Sequence, residues 1–267
     1  PGIITYWGNN EVILESNNTI YFEQGAVQEA DNIIHVVFKD AITHELKYMR
    51  KVGNNPWSQP IILNTQFEGP VLPKIKVAGN NVYIIYEAME IIEGIGFIKS
   101  YFIRSSDQGI TWSEPIQVSE ENRPAYMPDI SISNGMLYVV ANTGGETNYT
   151  DYNYSIDIYK SNNNGNTWIR DPTILAQYGG YVPRIFAENN TIHIVWKALH
   201  RQPGELDHGA IWYRKGVNQG GNIVWNEPIR LNNGDDFYGL NPEIAVKSGK
   251  VYVIWNDYQL QVYMGMG

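Results

Sequence analysis

The sequence contains no cysteine, which excludes disulfides, thiolate catalysis and cysteine-bound zinc. It also has no run of about 18 apolar residues, so no membrane-inserted segment is expected. Charged residues make up only 18% of the chain, and acidic residues outnumber basic ones by 28 to 19. Because phosphate binding needs a basic surface, the formal charge of −9 disfavours nucleic acids and anionic membranes as partners.

What the sequence does contain is a repeat marked by tryptophan. Trp57, Trp112, Trp168 and Trp225 each precede a short extended stretch, with a proline three or four residues further on. Trp7 begins a fifth stretch of the same shape that lacks the proline. The intervals between successive markers are 50, 55, 56 and 57 residues, and 49 residues lead from Trp225 through the end of the chain back to Trp7. Five nearly equal intervals indicate a repeat architecture.

A second marker lies between the tryptophans and predicts a β-hairpin. Each copy is an alternating run, a Gly/Asn turn, and a run rich in β-branched and aromatic residues. The five copies lie at 23–40, 71–88, 126–143, 181–198 and 240–257. Together with a third strand and the tryptophan segment, they predict an all-β, five-bladed β-propeller with four antiparallel strands in each blade. We expect one domain over residues 1–267, with residues 3–14 pairing with the last blade (240–264) to close the ring.

The tryptophan segments also carry a recognisable turn motif. Residues 105–112 match the pattern S-x-D-x-G-x-T-W at every fixed position, and 161–168 match it with Asn163 in place of the aspartate. In this the chain resembles the Asp-box (BNR-repeat) sialidase-like β-propeller superfamily. The resemblance implies that the motif turns join the third and fourth strands, on the face opposite the functional site. Asp107 and Asn163 are therefore expected to hold their own turns by hydrogen bonds rather than to act in catalysis.

Five blades also resemble the propellers of arabinanase- and invertase-type glycosidases and of tachylectin-type lectins. This likeness is one of architecture, and a fold by itself does not determine function. Composition together with the resemblance predicts a secreted, extracellular protein, and we expect it to be a monomer.

The predicted mouth of the propeller is asymmetric and aromatic. The loops between second and third strands are long at 87–100, 142–155 and 198–210, and short in the first and last blades. The links between blades supply Glu68, Arg123, Tyr126, Tyr181 and Tyr238. Tyrosine faces stack against sugar C–H surfaces while charged groups bind sugar hydroxyls, so this mixture predicts a glycan or oligosaccharide as ligand. Packing between blades is the alternative interpretation of these tyrosines.

Charged residues begin the inner strands and form a predicted ring, called here the charged ring. Its members are Lys74, Asp129, Arg184 and Glu243, with Ala26 in the corresponding place of the first blade. Asp129 and Glu243, with Glu68 nearby, supply the paired carboxylates that glycoside hydrolysis requires. Lys74 or Arg184 would tune the pKa values of those carboxylates or bind an anionic substrate. Ion pairing between neighbouring blades is the alternative explanation, because the signs alternate.

Two histidines and two carboxylates lie in the third long loop, within 200–208. Such residues are metal ligands, but their proximity in sequence within one loop is weak support, so no metal site is predicted and no cofactor is expected. The members of this group are His200, Arg201, Glu205, Asp207 and His208.

Three functions are compatible with these features. The first is a carbohydrate-binding, lectin-like propeller without catalysis, which the aromatic, amide-rich mouth favours. The second is a propeller-type glycoside hydrolase that uses Asp129 and Glu243. The third is a protein-binding scaffold, which the architecture permits and no particular residue favours.

Overall fold

The computed structural model describes residues 22–40, 42–63, 66–121, 123–143, 155–173, 175, 180–198, 209–232 and 237–259. All regular structure in these residues is β-strand and turn, in agreement with the predicted all-β class. Within them no helix has the length and apolar character needed to cross a membrane.

The strands form five antiparallel sheets in chain order within the described residues. Sheet 1 contains β1 (Phe22–Ala30), β2 (Ile33–Asp40), β3 (Leu46–Val52) and β4 (Ile61–Ile62). Sheet 2 contains β5 (Glu68–Ala78), β6 (Asn81–Ile92), β7 (Ile95–Ser105) and β8 (Ile116–Gln117). Sheet 3 contains β9 (Ala125–Ser133), β10 (Met136–Thr143), β11 (Ser155–Ser161) and β12 (Ile169–Arg170).

The last two sheets follow the same plan. Sheet 4 contains β13 (Gly180–Glu188), β14 (Thr191–Ala198), β15 (Ala210–Gln219), β16 (Asn222–Trp225) and β17 (Ile229–Arg230). Sheet 5 contains β18 (Phe237–Lys247) and β19 (Lys250–Gln259). The predicted third and fourth strands of sheet 5, including 3–14, lie outside the described residues.

Each sheet begins with a hairpin at the predicted place. In sheet 3, Asn134 and Gly135 adopt φ values of 51° and 74°, the left-handed pair that a two-residue hairpin turn requires. A second such pair, Glu93 and Gly94, has φ values of 51° and 81° and joins β6 to β7. The segment 87–100, expected as a long loop, is therefore a long β-hairpin whose turn is confined to Glu93 and Gly94.

The first strands of successive sheets contact one another in chain order: β1 with β5, β5 with β9, β9 with β13 and β13 with β18. An apolar layer fills each of the first three interfaces. Tyr48 and Tyr86 belong to the layer between sheets 1 and 2, and Phe102 and Val139 to the layer between sheets 2 and 3. The layer between sheets 3 and 4 includes Trp196. Sheets 2 and 3 thus pack against their neighbours by both faces, as expected for stacked repeats.

The turn at 105–111 is held by side chains of its own residues. The Asp107 carboxylate accepts hydrogen bonds from the backbone amide of Thr111 (2.8 Å) and the Thr111 hydroxyl (2.6 Å). The Ser105 hydroxyl donates to Asp107 (2.7 Å) and accepts from the amide of Gly109 (2.8 Å). Hydrogen bonds from Thr111 and Ser105 hold the pKa of Asp107 well below its usual value.

The same turn also fixes the packing between sheets. Trp112 contacts the Tyr48 ring of sheet 1 edge-on, with 4.7 Å between centroids. One repeat later, Trp168 contacts Phe102 of sheet 2 in the same way at 5.2 Å. Both tryptophans are partly buried and pack against the apolar layers between the sheets.

Candidate functional site

A β-bulge recurs on the first strand of sheets 2 to 5. At each bulge the residue before a proline has positive φ, which a branched or bulky side chain rarely adopts. The four residues are Leu72 (51°), Met127 (51°), Val182 (49°) and Asn241 (48°). The strand pairing shifts register at the same places. Each bulge is followed, two residues after its strained position, by a member of the charged ring, so the irregularity sets where that side chain points.

The charged ring brings side chains from four sheets into one electrostatic environment. Burial lowers the pKa of Lys74, and the positive charge of Arg184 lowers it further. The negative charges of Asp129 and Glu243 act on Lys74 in the opposite direction. These residues lie on β5, β9, β13 and β18, the first strands of sheets 2 to 5, and these strands contact one another in chain order.

Asp129 bridges two neighbouring sheets. It is only 8% exposed, and its Oδ2 accepts a hydrogen bond from the backbone amide of Ile185 at 2.9 Å. Two serines continue the contact, since Ser131 accepts from the amide of Ala187 (2.8 Å) and Ser133 donates to the Asn189 carbonyl (2.6 Å). Side chains of β9 thus satisfy backbone groups of β13.

Arg184 and Glu243 form an ion pair between sheets 4 and 5. The Nε–Oε1 distance is 2.8 Å, and the side chains are 14% and 52% exposed respectively. The carboxylate of Glu243 is therefore accessible, whereas the guanidinium that orients it is mostly buried. This geometry is compatible with both interpretations of the charged ring. Arg184 and Glu243 form an ion pair across two sheets, and the Glu243 carboxylate remains accessible to solvent.

The remaining predicted residues lie at different depths. Tyr126 and Tyr181 are half-buried near the beginning of β9 and β13. Glu68 is exposed at the first position of β5, and the β6 partners of Glu68 and Lys74 are four residues apart. At roughly 3.3 Å per residue, Glu68 lies about 13 Å from Lys74 along the strand, in a different layer from the charged ring. The backbone of Tyr238 pairs with Tyr258, and its side chain lies outside the described structure.

Arg123 is engaged in a buried charge cluster. Its Nε lies 2.9 Å from Oδ2 of Asp157, a residue with no exposed surface. The second oxygen of Asp157 lies 3.8 Å from Arg170, which in turn pairs with Glu120 at 3.1 Å. Neither oxygen of Asp157 has a hydrogen-bond partner among the described residues, so its contacts with Arg123 and Arg170 are ion pairs. The negative charge of Asp157 therefore holds Arg123 in place, and a third of the Arg123 side chain remains exposed.

Sequence reasoning missed Glu87. This residue of β6 is 9% exposed, and its carboxylate accepts a hydrogen bond of 2.6 Å from the strained backbone amide of Met127 in sheet 3. Burial raises the pKa of Glu87, and the Met127 amide opposes the shift. A signal was present, because a polar residue occupies this position in every copy of the hairpin. The other copies carry Lys39, Asn142, Lys197 and Asn256.

The histidine-containing loop at 200–208 lies outside the described residues. In the described part of the chain, no group of three or more metal-ligating side chains comes together.

Solved structures resemble this chain across about nine tenths of its length. The sialidase of Trypanosoma rangeli in complex with sialic acid matches 90% of this chain and 45% of its own, with 14% identity and a TM-score of 0.57. The xylan β-1,4-xylosidase of Bacillus halodurans C-125 matches 90% of this chain and 50% of its own, with 9% identity and a TM-score of 0.52. The chain has a propeller fold similar to those of these two structures.

The chain spans about half the length of the solved proteins it matches. No protein-family model matches its sequence, and no curated protein sequence does so. At such low identity the likeness concerns the fold alone.

Proposed function

We propose that this protein is a carbohydrate-active, five-bladed propeller that hydrolyses glycosidic bonds at the mouth of its central channel. The observation that carries the proposal is the convergence of Lys74, Asp129, Arg184 and Glu243 from four sheets. Two carboxylates and two cations lie there on neighbouring inner strands of a fold that glycosidases also use. Glycoside hydrolysis needs two such carboxyl groups, about 5 to 9.5 Å apart according to mechanism.

The five-bladed ring itself is part of the proposal. Sheet 5 presents Tyr252 and Ile254, which are 55% and 70% exposed among the described residues. These two side chains lie two residues apart, on the same face of β19. In sheets 1 to 3, the next sheet covers the corresponding face. Packing of sheet 1 against this face would close the ring and remove the apolar exposure, which supports closure by the two ends of the chain.

In the proposed chemistry each charged residue has a separate role. Glu243 is open to solvent and oriented by Arg184, which suits the carboxylate that attacks the sugar or activates water. Asp129, or the buried Glu87 with its raised pKa, supplies the second carboxyl group. Tyr126 and Tyr181 offer partly exposed rings against which a sugar stacks. Lys74 adds a positive charge that would favour a glycan bearing an acidic group.

The test measures hydrolysis of aryl glycosides and polysaccharides, including sialosides and xylosides because the structural neighbours are a sialidase and a xylosidase. Asp129→Asn, Glu243→Gln and Glu87→Gln keep the side-chain shapes and remove the charges. Each variant at a true catalytic carboxylate should fold and lose at least about 100-fold in turnover. Glu227→Gln, an exposed position on sheet 4, serves as the matched control and should keep full activity.

A lectin-like function is the second candidate, and one observation favours it. Asp129 and Glu243 already hold structural partners, the Ile185 amide and the Arg184 guanidinium. If no glycoside is hydrolysed while a glycan binds and the Asp129 and Glu243 variants alter that binding, the hydrolase proposal is wrong and the lectin is supported. Secretion and a monomeric state stay predictions.

A further inference from the structure

The bulge of β9 removes one backbone amide from the pairing between strands. Two residues, Met127 and Pro128, lie opposite the single residue Ala141 of β10. Because proline has no N–H, Met127 supplies the only backbone donor of these two residues. Its amide donates across the sheet interface to the carboxylate of Glu87, at 2.6 Å. A side chain of sheet 2 therefore satisfies the backbone of the bulge in sheet 3.

The backbone conformation of Met127 depends on this support. Its φ is 51°, which non-glycine residues rarely adopt and which persists only where surrounding contacts hold it. Glu87 is buried, so little water is at hand to replace either partner of the hydrogen bond. Loss of the carboxylate would leave the amide of Met127 unpaired and its conformation unsupported.

The same bulge determines the direction of Asp129, which follows Met127 by two residues. A bulge re-aims the side chains beside it. Without the extra residue, the pairing on one side would slip by one position and turn side chains to the opposite face of the strand. For Asp129 such a change would break the hydrogen bond of 2.9 Å to the Ile185 amide in sheet 4. Glu87 is thus linked to Asp129 through the backbone of the bulge.

The corresponding position in later sheets does not make this contact. Asn142 has the place of Glu87 in β10 and no exposed surface, yet neither polar atom of its side chain has a hydrogen-bond partner among the described residues. In sheet 4 the place is taken by Lys197, whose side chain has no acceptor atom. The support is therefore specific to the bulge that carries Asp129 and is not a general requirement of the repeat.

We propose that Glu87 is a positioning residue of the channel mouth, which holds Asp129 in its orientation through the bulge at Met127. This inference rests on the proposed function, and it assigns the second carboxyl group of that proposal to Asp129. Glu87 acts by accepting a hydrogen bond, so the reach of its side chain and its acceptor oxygen matter more than its charge.

The first experiment does not depend on hydrolysis. The backbone amides of Met127 and Ile185 are followed in ¹H–¹⁵N spectra of the parent chain and of variants at Glu87. Glu87→Met removes the acceptor and should move both resonances, although Ile185 lies two sheets away. Glu87→Gln keeps an acceptor oxygen and should leave the Ile185 resonance in place. Glu114→Met, the same substitution at an exposed position of sheet 2, is the control and should move neither.

The second experiment measures the kinetics of whichever glycoside the parent chain cleaves. Glu87→Met should lower kcat about 10- to 100-fold and change KM less than about threefold, because a misplaced catalytic group slows the reaction without weakening binding. Glu87→Gln should recover most of the lost kcat. In the Asp129→Asn background Glu87→Met should cause no further loss, since the group that it positions is already disabled.

The outcomes distinguish this inference from the proposed function. If the parent chain hydrolyses no glycoside, the hydrolase proposal fails, while movement of the Ile185 amide in Glu87→Met still supports the positioning role. A spectrum of Glu87→Met in which Met127 moves and Ile185 does not would overturn the inference. A folded Glu87→Gln that loses about 100-fold in kcat would also overturn it, because Glu87 would then itself be the second carboxyl group. If Glu87→Met does not fold, the spectrum and kcat of Glu87→Gln decide between these results.

Discussion

The carboxylate of Asp129 holds the backbone amide of Ile185, a residue 56 positions further along the chain, at 2.9 Å. The separation equals one repeat, the same interval that divides Trp112 from Trp168. A residue proposed for catalysis therefore also fastens one sheet to the next.

This double role predicts a graded loss of stability. Asp129→Ala removes the acceptor and leaves the buried Ile185 amide without a partner, which should lower the free energy of unfolding by about 1–3 kcal/mol. Asp129→Asn keeps an acceptor oxygen and should cost less. Urea unfolding measures both. Ser106 is an exposed serine in the turn at 105–111 of sheet 2. Ser106→Ala is therefore the control and should change the free energy of unfolding by less than about 0.5 kcal/mol.

The turn glycines should differ sharply in their tolerance of alanine. Gly165 has a φ of 80°, and an added Cβ would overlap the ring of Phe102. Gly135 has a similar φ of 74°, with open space around the same position. Gly135→Ala should cost only the backbone strain of about 1–2 kcal/mol, and Gly165→Ala that strain plus about 1–3 kcal/mol of overpacking. Thermal unfolding of both variants checks this, and equal melting temperatures would contradict the packing described here.

The buried charge cluster gives a third prediction. Asp157→Asn leaves Arg123 and Arg170 facing each other without the carboxylate between them, and breaking such a buried pair should cost about 3 kcal/mol or more. Glu120→Gln breaks the outer pair, whose carboxylate is 52% exposed, and should cost less than about 1 kcal/mol. Denaturant unfolding of the two variants distinguishes them. Similar losses would mean that Asp157 is solvated and not buried.

Stability should also fall in mild acid because of His35. Burial, with the charge of Arg50, lowers the pKa of His35 to about 4, while the unfolded chain keeps the ordinary value near 6.5. Between those values the unfolded state binds a proton that the folded state does not, so stability decreases as pH falls from 6.5 to 4. His35→Gln should flatten this part of the pH profile relative to the parent chain. His44→Gln, at an exposed position, should leave the profile unchanged.

Ring closure makes a prediction about the amino-terminal segment. Removing residues 1–14 should deprive the last blade of its outer strand and cause aggregation or loss of the folded state. Size-exclusion chromatography with far-ultraviolet circular dichroism detects either result. A chain lacking only residues 1–2 is the control and should behave like the parent. A truncated chain that stays monomeric with unchanged melting would show that closure occurs in another way.

Periodicity predicted the hairpins well because each one is local. The copies at 126–143 and 181–198 coincide with β9–β10 and β13–β14 to within a residue. Alternation and a Gly/Asn turn act over fewer than twenty residues, so the sequence contains the whole signal. The segment 87–100 was expected as a long loop because its length varies between repeats, although Glu93-Gly94 is itself a hairpin turn.

The candidate site was harder to predict because its contacts join distant repeats. The charged ring was identified from position, but no pattern within one repeat shows that Arg184 pairs with Glu243 or that Asp129 holds a backbone amide. Glu87 was missed because it falls in an otherwise apolar strand, and its partner, Met127, belongs to the next sheet. Such contacts depend on how sheets stack, which local sequence does not determine.

The side chains that join β9 to β13 make the repeats unequal partners. At the places of Asp129, Ser131 and Ser133, the first strand of sheet 2 has Lys74, Lys76 and Ala78, none of which can accept a hydrogen bond. A repeat moved to another position in the stack of sheets would therefore leave backbone amides of its new neighbour without hydrogen-bond partners. The repeats have the same strand arrangement but are not interchangeable. The side chains of their first strands determine which repeat can follow which.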